Sequence, residues 1–315
     1  MSALSTARAL ISALDRNDAH AVAACFAAGG VWWVDSGRDR SAGRFGHDPG
    51  VARAWPLHGG MDALAKCRLL EGLSRAFPAG VRQIERRAFA GGDVAVVEAE
   101  GDGLYKGRRP YRNRYAFVVT VARTGVTDLR EYMDTAHAAD VFDGANLDRR
   151  ADAAPISAPR PVPATAAGHV ALAFIDSISA ADPERLRSLC TPDATWWADG
   201  GKVRTAGPEA EVDGSPDKLF VGRVSVAERA SLVGGLARKF PAGLTLTPHR
   251  LIEEDGIGDS GLVAVETEGF GRHVSGRLYQ NRYCWVLSLA GGRIVEVREY
   301  CDTFHGFDVF YPELL

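Results

Sequence analysis

No two of the five cysteines stand in a Cys-x-x-Cys pair, and their number is odd. That spacing argues against a disulfide framework or a zinc site and fits a reducing compartment. A cytoplasmic protein without metal is therefore expected. No stretch approaches the ~20 apolar residues that span a bilayer. The opening MSALSTARALISALDRND lacks the basic segment, apolar run and cleavage site of a secretory leader and reads as the start of a helix. No membrane partner is expected. Charge of one sign is scarce too: 37 basic residues face 40 acidic ones, for a net charge of −3. The arginines are interleaved with acids, so no basic stripe exists and no nucleic-acid partner is expected. A P-loop of the form GxxxxGKS or GxxxxGKT is missing, and no cofactor is called for.

What the chain does have is a copy of itself. It is 315 residues long, about two domains' worth. YRNRY at 111–115 recurs as YQNRY at 279–283, and REYMDT at 130–135 recurs as REYCDT at 298–303, both 168 residues on. FPAG at 77–80 recurs at 240–243, and Trp32-Trp33 recurs as Trp196-Trp197. His137 and His305 each follow the last motif's Asp by three. A repeat this long is a duplicated domain rather than a solenoid unit. Two whole copies in one chain suggest an intrachain pseudo-dimer, with further homo-oligomerisation left open. Residues 148–165 carry Pro155, Pro159, Pro161 and Pro163 and no hydrophobic period, which makes an extended linker. The expected domains are 1–147 and 166–315.

Each copy shows the same order of patterns. In the first, 3–14 and 18–28 have helical spacing, and Val31–Asp35 is a short β-rich run between glycines. A Gly-rich loop follows at 36–57. Residues 61–76 read as one helix, ended by Phe77-Pro78-Ala79-Gly80. Four strand-like runs come next: 81–90, 93–103, 110–122 and 126–134, with turn signals between them. The second copy repeats this, with a helix at 226–240 and strands near 244–253, 261–270, 278–289 and 293–302. The fold class is α+β, a curved, mostly antiparallel sheet with helices on one face.

The run Asp193-Ala194-Thr195-Trp196-Trp197, a helix ending in Phe-Pro, Tyr-x-Asn-Arg-Tyr, and Gly-Arg-Ile-Val-Glu-Val-Arg-Glu-Tyr-x-Asp-Thr together resemble a SnoaL-like domain. That family shares the nuclear transport factor 2-like fold with ketosteroid isomerase, scytalone dehydratase and limonene-epoxide hydrolase. The resemblance covers nearly all of both copies. It implies two tandem cone-shaped domains, each with a deep apolar pocket between the concave sheet face and the helices. Such domains pair through the outer sheet face. The fold hosts many chemistries, so it settles none. Asp35 and Asp199 stand one position later than the isomerase base, with Val34 and Ala198 in its slots. Ala116 and Cys284 occupy the slots of the isomerase's oxyanion Asp. The hydrolase's final Asp is matched by Asp134 and Asp302, but its other Asp is replaced by Asn113 and Asn281. The best match is to SnoaL-type cyclases, which use a terminal-strand Asp as acid/base.

Strand alternation sorts the polar candidates. Tyr111, Asn113 and Tyr115 share a face, opposite Arg112 and Arg114. Arg130, Tyr132 and Asp134 share a face, opposite Glu131 and Met133. Glu98, Arg114 and Glu131, with Glu266, Arg282 and Glu299, read as a cross-strand ion-pair ladder, unless a bulge turns one toward the pocket. Asp134 and Asp302 lead for catalysis, since a carboxyl in an apolar pocket exchanges protons near neutral pH; the alternative is a turn cap. His137 and His305 are their candidate partners, and Asn113 and Asn281 candidate donors to a carbonyl. Candidate substrate contacts are Trp32, Trp33, Tyr111, Tyr115 and Tyr132 in copy one and Trp196, Trp197, Tyr279, Tyr283 and Tyr300 in copy two. The loop after the first strand differs between copies, with His47, Trp55 and His58 in one against Glu209, Glu211, Asp213 and Asp217 in the other. His58 joins the candidate contacts.

The expected function is cofactor-independent acid–base chemistry on a small, apolar, oxygenated substrate, aromatic or polyketide-like. Aldol-type cyclisation or cleavage, dehydration and isomerisation all fit, making the chain a lyase, isomerase or cyclase. The alternatives are a non-catalytic small-molecule-binding module and an epoxide hydrolase.

Overall fold

The computed structural model describes residues 2–34, 59–142, 155–198, 219–220 and 222–311. They form two compact units, unit 1 within 2–142 and unit 2 within 155–311. Unit 1 runs α1 (Ala3–Asp15), α2 (Ala19–Cys25), β1 (Phe26–Val34), β2 (Gly59–Asp62), α3 (Ala63–Leu70), α4 (Leu73–Ala76), β3 (Val81–Gly91), β4 (Val94–Tyr105), β5 (Arg109–Tyr111), β6 (Arg114–Ala122), β7 (Gly125–Met133) and α5 (Thr135–Val141). Unit 2 runs α6 (Ala166–Ser179), α7 (Pro183–Ser188), β8 (Cys190–Ala198), β9 (Gly222–Ser225), α8 (Val226–Gly234), α9 (Leu236–Lys239), β10 (Leu244–Glu253), β11 (Gly261–Arg272), β12 (Leu278–Ala290), β13 (Arg293–Cys301) and α10 (Thr303–Phe310).

The two sheets have one topology. Unit 1 is ordered β2-β1-β7-β6-β4-β3, with β5 added to β4, and unit 2 is ordered β9-β8-β13-β12-β11-β10. The β1–β7 and β8–β13 pairs are parallel and the others antiparallel. Register shifts interrupt β3 between Glu85 and Arg87 and β10 between Pro248 and Arg250. An extra residue on one strand bends it and adds twist, so each sheet curls. The architecture is α+β in both units, as the pattern of elements predicts. Among the described residues, no helix is long and apolar enough to cross a membrane.

Local chemistry fixes the ends of the helices. The Ser2 side chain accepts from the Ser5 N–H to start α1, and Asp18 accepts from Ala21 to start α2. Leu10 and Ile11 then point from α1 into the core and are fully buried, which stabilises by about 1.5–3 kcal/mol each.

Three local expectations change. The helix expected over 18–28 stops at Cys25, because Phe26 already pairs with Val126 in the sheet. The single helix expected over 61–76 is a short strand followed by two helices; Asp62 caps α3 and Glu71-Gly72 interrupts it. The strand expected over 110–122 breaks at 112–113 in unit 1, where the Asn113 side chain takes the Arg114 N–H. The tails after Asp134 and Asp302 are helices. The run Gly256-Ile257-Gly258-Asp259-Ser260-Gly261 has the glycine spacing of a dinucleotide loop, but it joins two antiparallel strands and leads into β11, not a helix.

Candidate active site

The inner face of unit 1 is set by register. Tyr115 pairs with Met133 and Phe117 with Glu131 across β6 and β7, and paired residues share a face. The inward set is therefore Tyr115, Phe117, Glu131 and Met133. Trp32 joins it from β1 and Lys66 from α3. Trp33, Arg130 and Tyr132 lie on the other face, where Trp33 packs edge-on against Tyr132 at 5.4 Å. In unit 2, Trp197 and Tyr300 repeat that outer pair at 5.4 Å.

A cavity of about 700 Å³ opens between this face and α3–α4. Its wall is aromatic, with Trp32, Phe77, Tyr105, Tyr111, Tyr115, Phe117 and Phe142. Its charged groups include Lys66 and Glu131. The volume suits a small organic molecule. The Trp32 indole N–H donates to Glu131 Oε2 at 2.8 Å. Lys66, 2% exposed, holds its ammonium 5.2 Å from the centre of the Trp32 ring. Burial raises the proton affinity of Glu131, and the Lys66 charge and the Trp32 hydrogen bond oppose that rise. Burial likewise pushes the Lys66 amine down to about 8, with Glu131 opposing.

Unit 2 repeats the Trp–Glu pair with two exchanges around it. Trp196 donates to Glu299 at 2.8 Å, and Arg229 stands in the place of Lys66, 5.8 Å from the Trp196 ring. Burial pushes Glu299 up to about 7 against Arg229 and the Trp196 hydrogen bond. Trp285 replaces Phe117; it packs edge-on to Trp196 at 5.8 Å and stacks on Tyr283 at 4.9 Å.

The tyrosines and asparagines behave as a relay. Asn113 Nδ2 donates to the Tyr111 hydroxyl at 3.2 Å and to the Asp134 carbonyl at 3.0 Å. Its Oδ1 accepts from the N–H groups of Arg114 and Asp134. The Tyr111 and Tyr115 hydroxyls are 2.7 Å apart. Either hydroxyl of that pair can be the donor, and the Tyr111 hydroxyl also lies 3.9 Å from Met133 Sδ. Burial raises both phenols, so they remain neutral donors. Gly101 makes room: a Cβ there would lie 3.0 Å from the Tyr115 ring. Asn281, Tyr279 and Tyr283 repeat the relay in unit 2.

Asp134 and Asp302 do something different. Each caps the helix that follows, accepting from the N–H of His137 or His305 at 3.0 Å. The histidines stack on Tyr111 and Tyr279. Nε2 of His137 accepts from the Arg112 N–H at 3.0 Å, and Nε2 of His305 from the Gln280 N–H at 3.1 Å. The accepting nitrogen carries no proton. These four residues thus brace α5 and α10 to the sheet. The expected ladder exists without Glu131 and Glu299. It consists of Arg87–Glu98 at 3.2 Å and Arg114–Glu100 at 3.1 Å, then Arg250–Glu266 at 3.2 Å and Arg282–Glu268 at 3.3 Å. His58, Asp35, Asp199 and the differing loop residues His47, Trp55, Glu209, Glu211, Asp213 and Asp217 lie outside the described residues.

The sequence reading named both Trp32 and Trp33 as candidate contacts and put Tyr111, Asn113 and Tyr115 on one strand face; of these, Trp32, Tyr111 and Tyr115 line the cavity. It passed over Lys66 and Arg229. A signal was present. Ala63, Lys66, Cys67 and Leu70 form one helical stripe, as do Val226, Arg229, Ala230 and Val233. A cation at the same place in two apolar stripes marks a buried charge.

The comparisons follow this geometry. The model of the SnoaL-like domain family matches residues 7–128 and again 171–297. No curated protein matches the chain. Many solved structures match one unit at a time. Wild-type IdmH from Streptomyces antibioticus, a candidate polyketide cyclase, is 18% identical, covering 45% of this chain and 95% of its own, with a TM-score of 0.33. An NTF2-like protein from Burkholderia pseudomallei is 18% identical over 47% and 98%, TM-score 0.36. Another from Anabaena variabilis is 17% identical over 43% and 86%, TM-score 0.32. With the family model matching twice, over the helices and sheet of each unit, this chain belongs to the SnoaL-like domain family as two tandem copies.

Proposed function

We propose that unit 1 is a cofactor-independent acid–base catalyst acting on a small, apolar, carbonyl-bearing substrate, in a lyase, isomerase or cyclase reaction. The observation that carries this is Glu131, a carboxyl 7% exposed, fixed by Trp32 and lining an aromatic cavity of about 700 Å³. Its raised proton affinity suits it to take a proton from carbon and return it. Tyr115, donating at the end of the Asn113–Tyr111 relay, would polarise the carbonyl as the enolate forms. Asp134 and His137 act as positioning residues, since they hold the helix behind Tyr111.

Exchange of α-hydrogens of 2-tetralone in deuterium oxide, followed by NMR, tests the proposal. Exchange above the buffer rate that is lost in Glu131→Gln supports it. Saturable binding with no exchange overturns catalysis of this kind and favours the binding-module reading.

A further inference from the structure

Resting on the unit 1 cavity as the site proposed above, we propose that Lys66 is a nucleophilic amine that captures aldehydes or ketones as an imine, with Glu131 moving the protons. Lys66 lines the cavity and is 2% exposed, so an amine with almost no contact with solvent faces a space large enough for an organic carbonyl compound. The Lys66 ammonium lies 5.2 Å from the centre of the Trp32 ring, and the same indole donates its N–H to Glu131. Amine, carboxyl and flat aromatic wall are therefore parts of one surface.

The step balances. The neutral Lys66 nitrogen attacks the carbonyl carbon. The C–N bond forms, the C=O π pair moves to oxygen, and oxygen takes the proton of the Glu131 carboxylic acid. The nitrogen gives its extra proton to the Glu131 carboxylate. Returned to the hydroxyl, that proton lets water leave as the C=N bond closes. Water leaves an iminium, whose N–H proton passes to the Glu131 carboxylate; amine and carbonyl thus give imine and water with the Glu131 acid restored, and no oxidant or reductant is needed. Burial favours the neutral amine, which supports the first step. Protonated, the imine is a stronger electron sink than the carbonyl, so it eases loss of a neighbouring proton.

Unit 2 supplies an internal control. Arg229 occupies the matching place, fully buried beside Trp196 and Glu299. A guanidinium stays protonated and forms no such imine. The two copies therefore keep the Trp–Glu pair and differ in the cationic group beside it, an amine in unit 1 and a guanidinium in unit 2.

The test uses the full chain, 2-naphthaldehyde and sodium cyanoborohydride at pH 7, which fixes any imine as a stable amine. Intact mass counts adducts and peptide mapping locates them among the five lysines, Lys66, Lys106, Lys202, Lys218 and Lys239. An amine at about 8 carries roughly a hundred-fold more free base at pH 7 than an ordinary lysine. Modification of Lys66 should outpace that of exposed Lys106 by about ten-fold or more, even after its lower basicity is allowed for. Lys66→Arg, the residue unit 2 uses here, should remove the fast adduct and leave slow labelling at Lys106 unchanged. Labelling of Lys66 no faster than Lys106, or a fast adduct that survives Lys66→Arg, overturns the inference. An adduct at Lys66 without α-hydrogen exchange upholds it while refuting the acid–base reading; exchange without the adduct does the reverse.

Discussion

Consider Glu131→Gln at the centre of the unit 1 cavity. Removing one member of a buried charge pair ordinarily costs about 3–5 kcal/mol, because the other charge is stranded. Here the stranded group has an escape. The Lys66 amine sits at about 8 with Glu131 present, and losing Glu131 lowers it further. One pKa unit is worth about 1.4 kcal/mol, so shedding the Lys66 proton at pH 7 costs only about 1.4 kcal/mol. The Gln amide oxygen still accepts from Trp32, and the desolvation that raised Glu131 disappears with its charge. The loss at pH 7 should therefore be near 1–1.5 kcal/mol, and it should shrink by pH 9, where Lys66 is already neutral in the parent protein. Urea denaturation of both proteins at pH 7 and pH 9, followed by circular dichroism, measures it. A loss of about 3–5 kcal/mol that is the same at both pH values would show that Lys66 stays charged, and the reasoning would fail.

Glu299 is pushed up to about 7, above its unfolded value, so the folded state holds a proton that the unfolded chain has lost in between. Stability should fall by about 3 kcal/mol as pH rises from 4.5 to 7, and Glu299→Gln should flatten that slope in chemical denaturation. Asp134→Ala should cost about 1 kcal/mol by removing the α5 cap, with faster amide hydrogen exchange in 135–141, whereas Asp134→Asn should preserve both. Gly101→Ala places a methyl 3.0 Å from the Tyr115 ring, so it should cost about 1–3 kcal/mol in thermal unfolding and disturb the Tyr111–Tyr115 bond.

Much of this was legible in the sequence. The repeat gave two units, and alternation put Tyr111, Asn113 and Tyr115 on one face. Alternation yields two sets of residues, however, and does not say which faces the core. On β7 that choice is made by register with β6, since Phe117 sits opposite Glu131. Asp134 ends the strand, where the chain turns into a helix and period-two counting no longer applies; its side chain meets the His137 N–H. Lys66 was hidden by its type, because lysine is almost never fully buried without a partner. Only its place among Ala63, Cys67 and Leu70, matched by Arg229 in the second copy, marks it.

The central claim is that Glu131 exchanges protons within the cavity, and its hydrogen-bond donor can report that directly. The Trp32 indole N–H, assigned by its loss in Trp32→Phe, can be followed by ¹H–¹⁵N correlation across a pH titration. The account requires the signal to move with a midpoint above the ordinary glutamate value of about 4.3 and the movement to vanish in Glu131→Gln. A midpoint at or below about 4.3 would mean that Glu131 is a permanently ionised structural partner, and the proposed chemistry would lose its base.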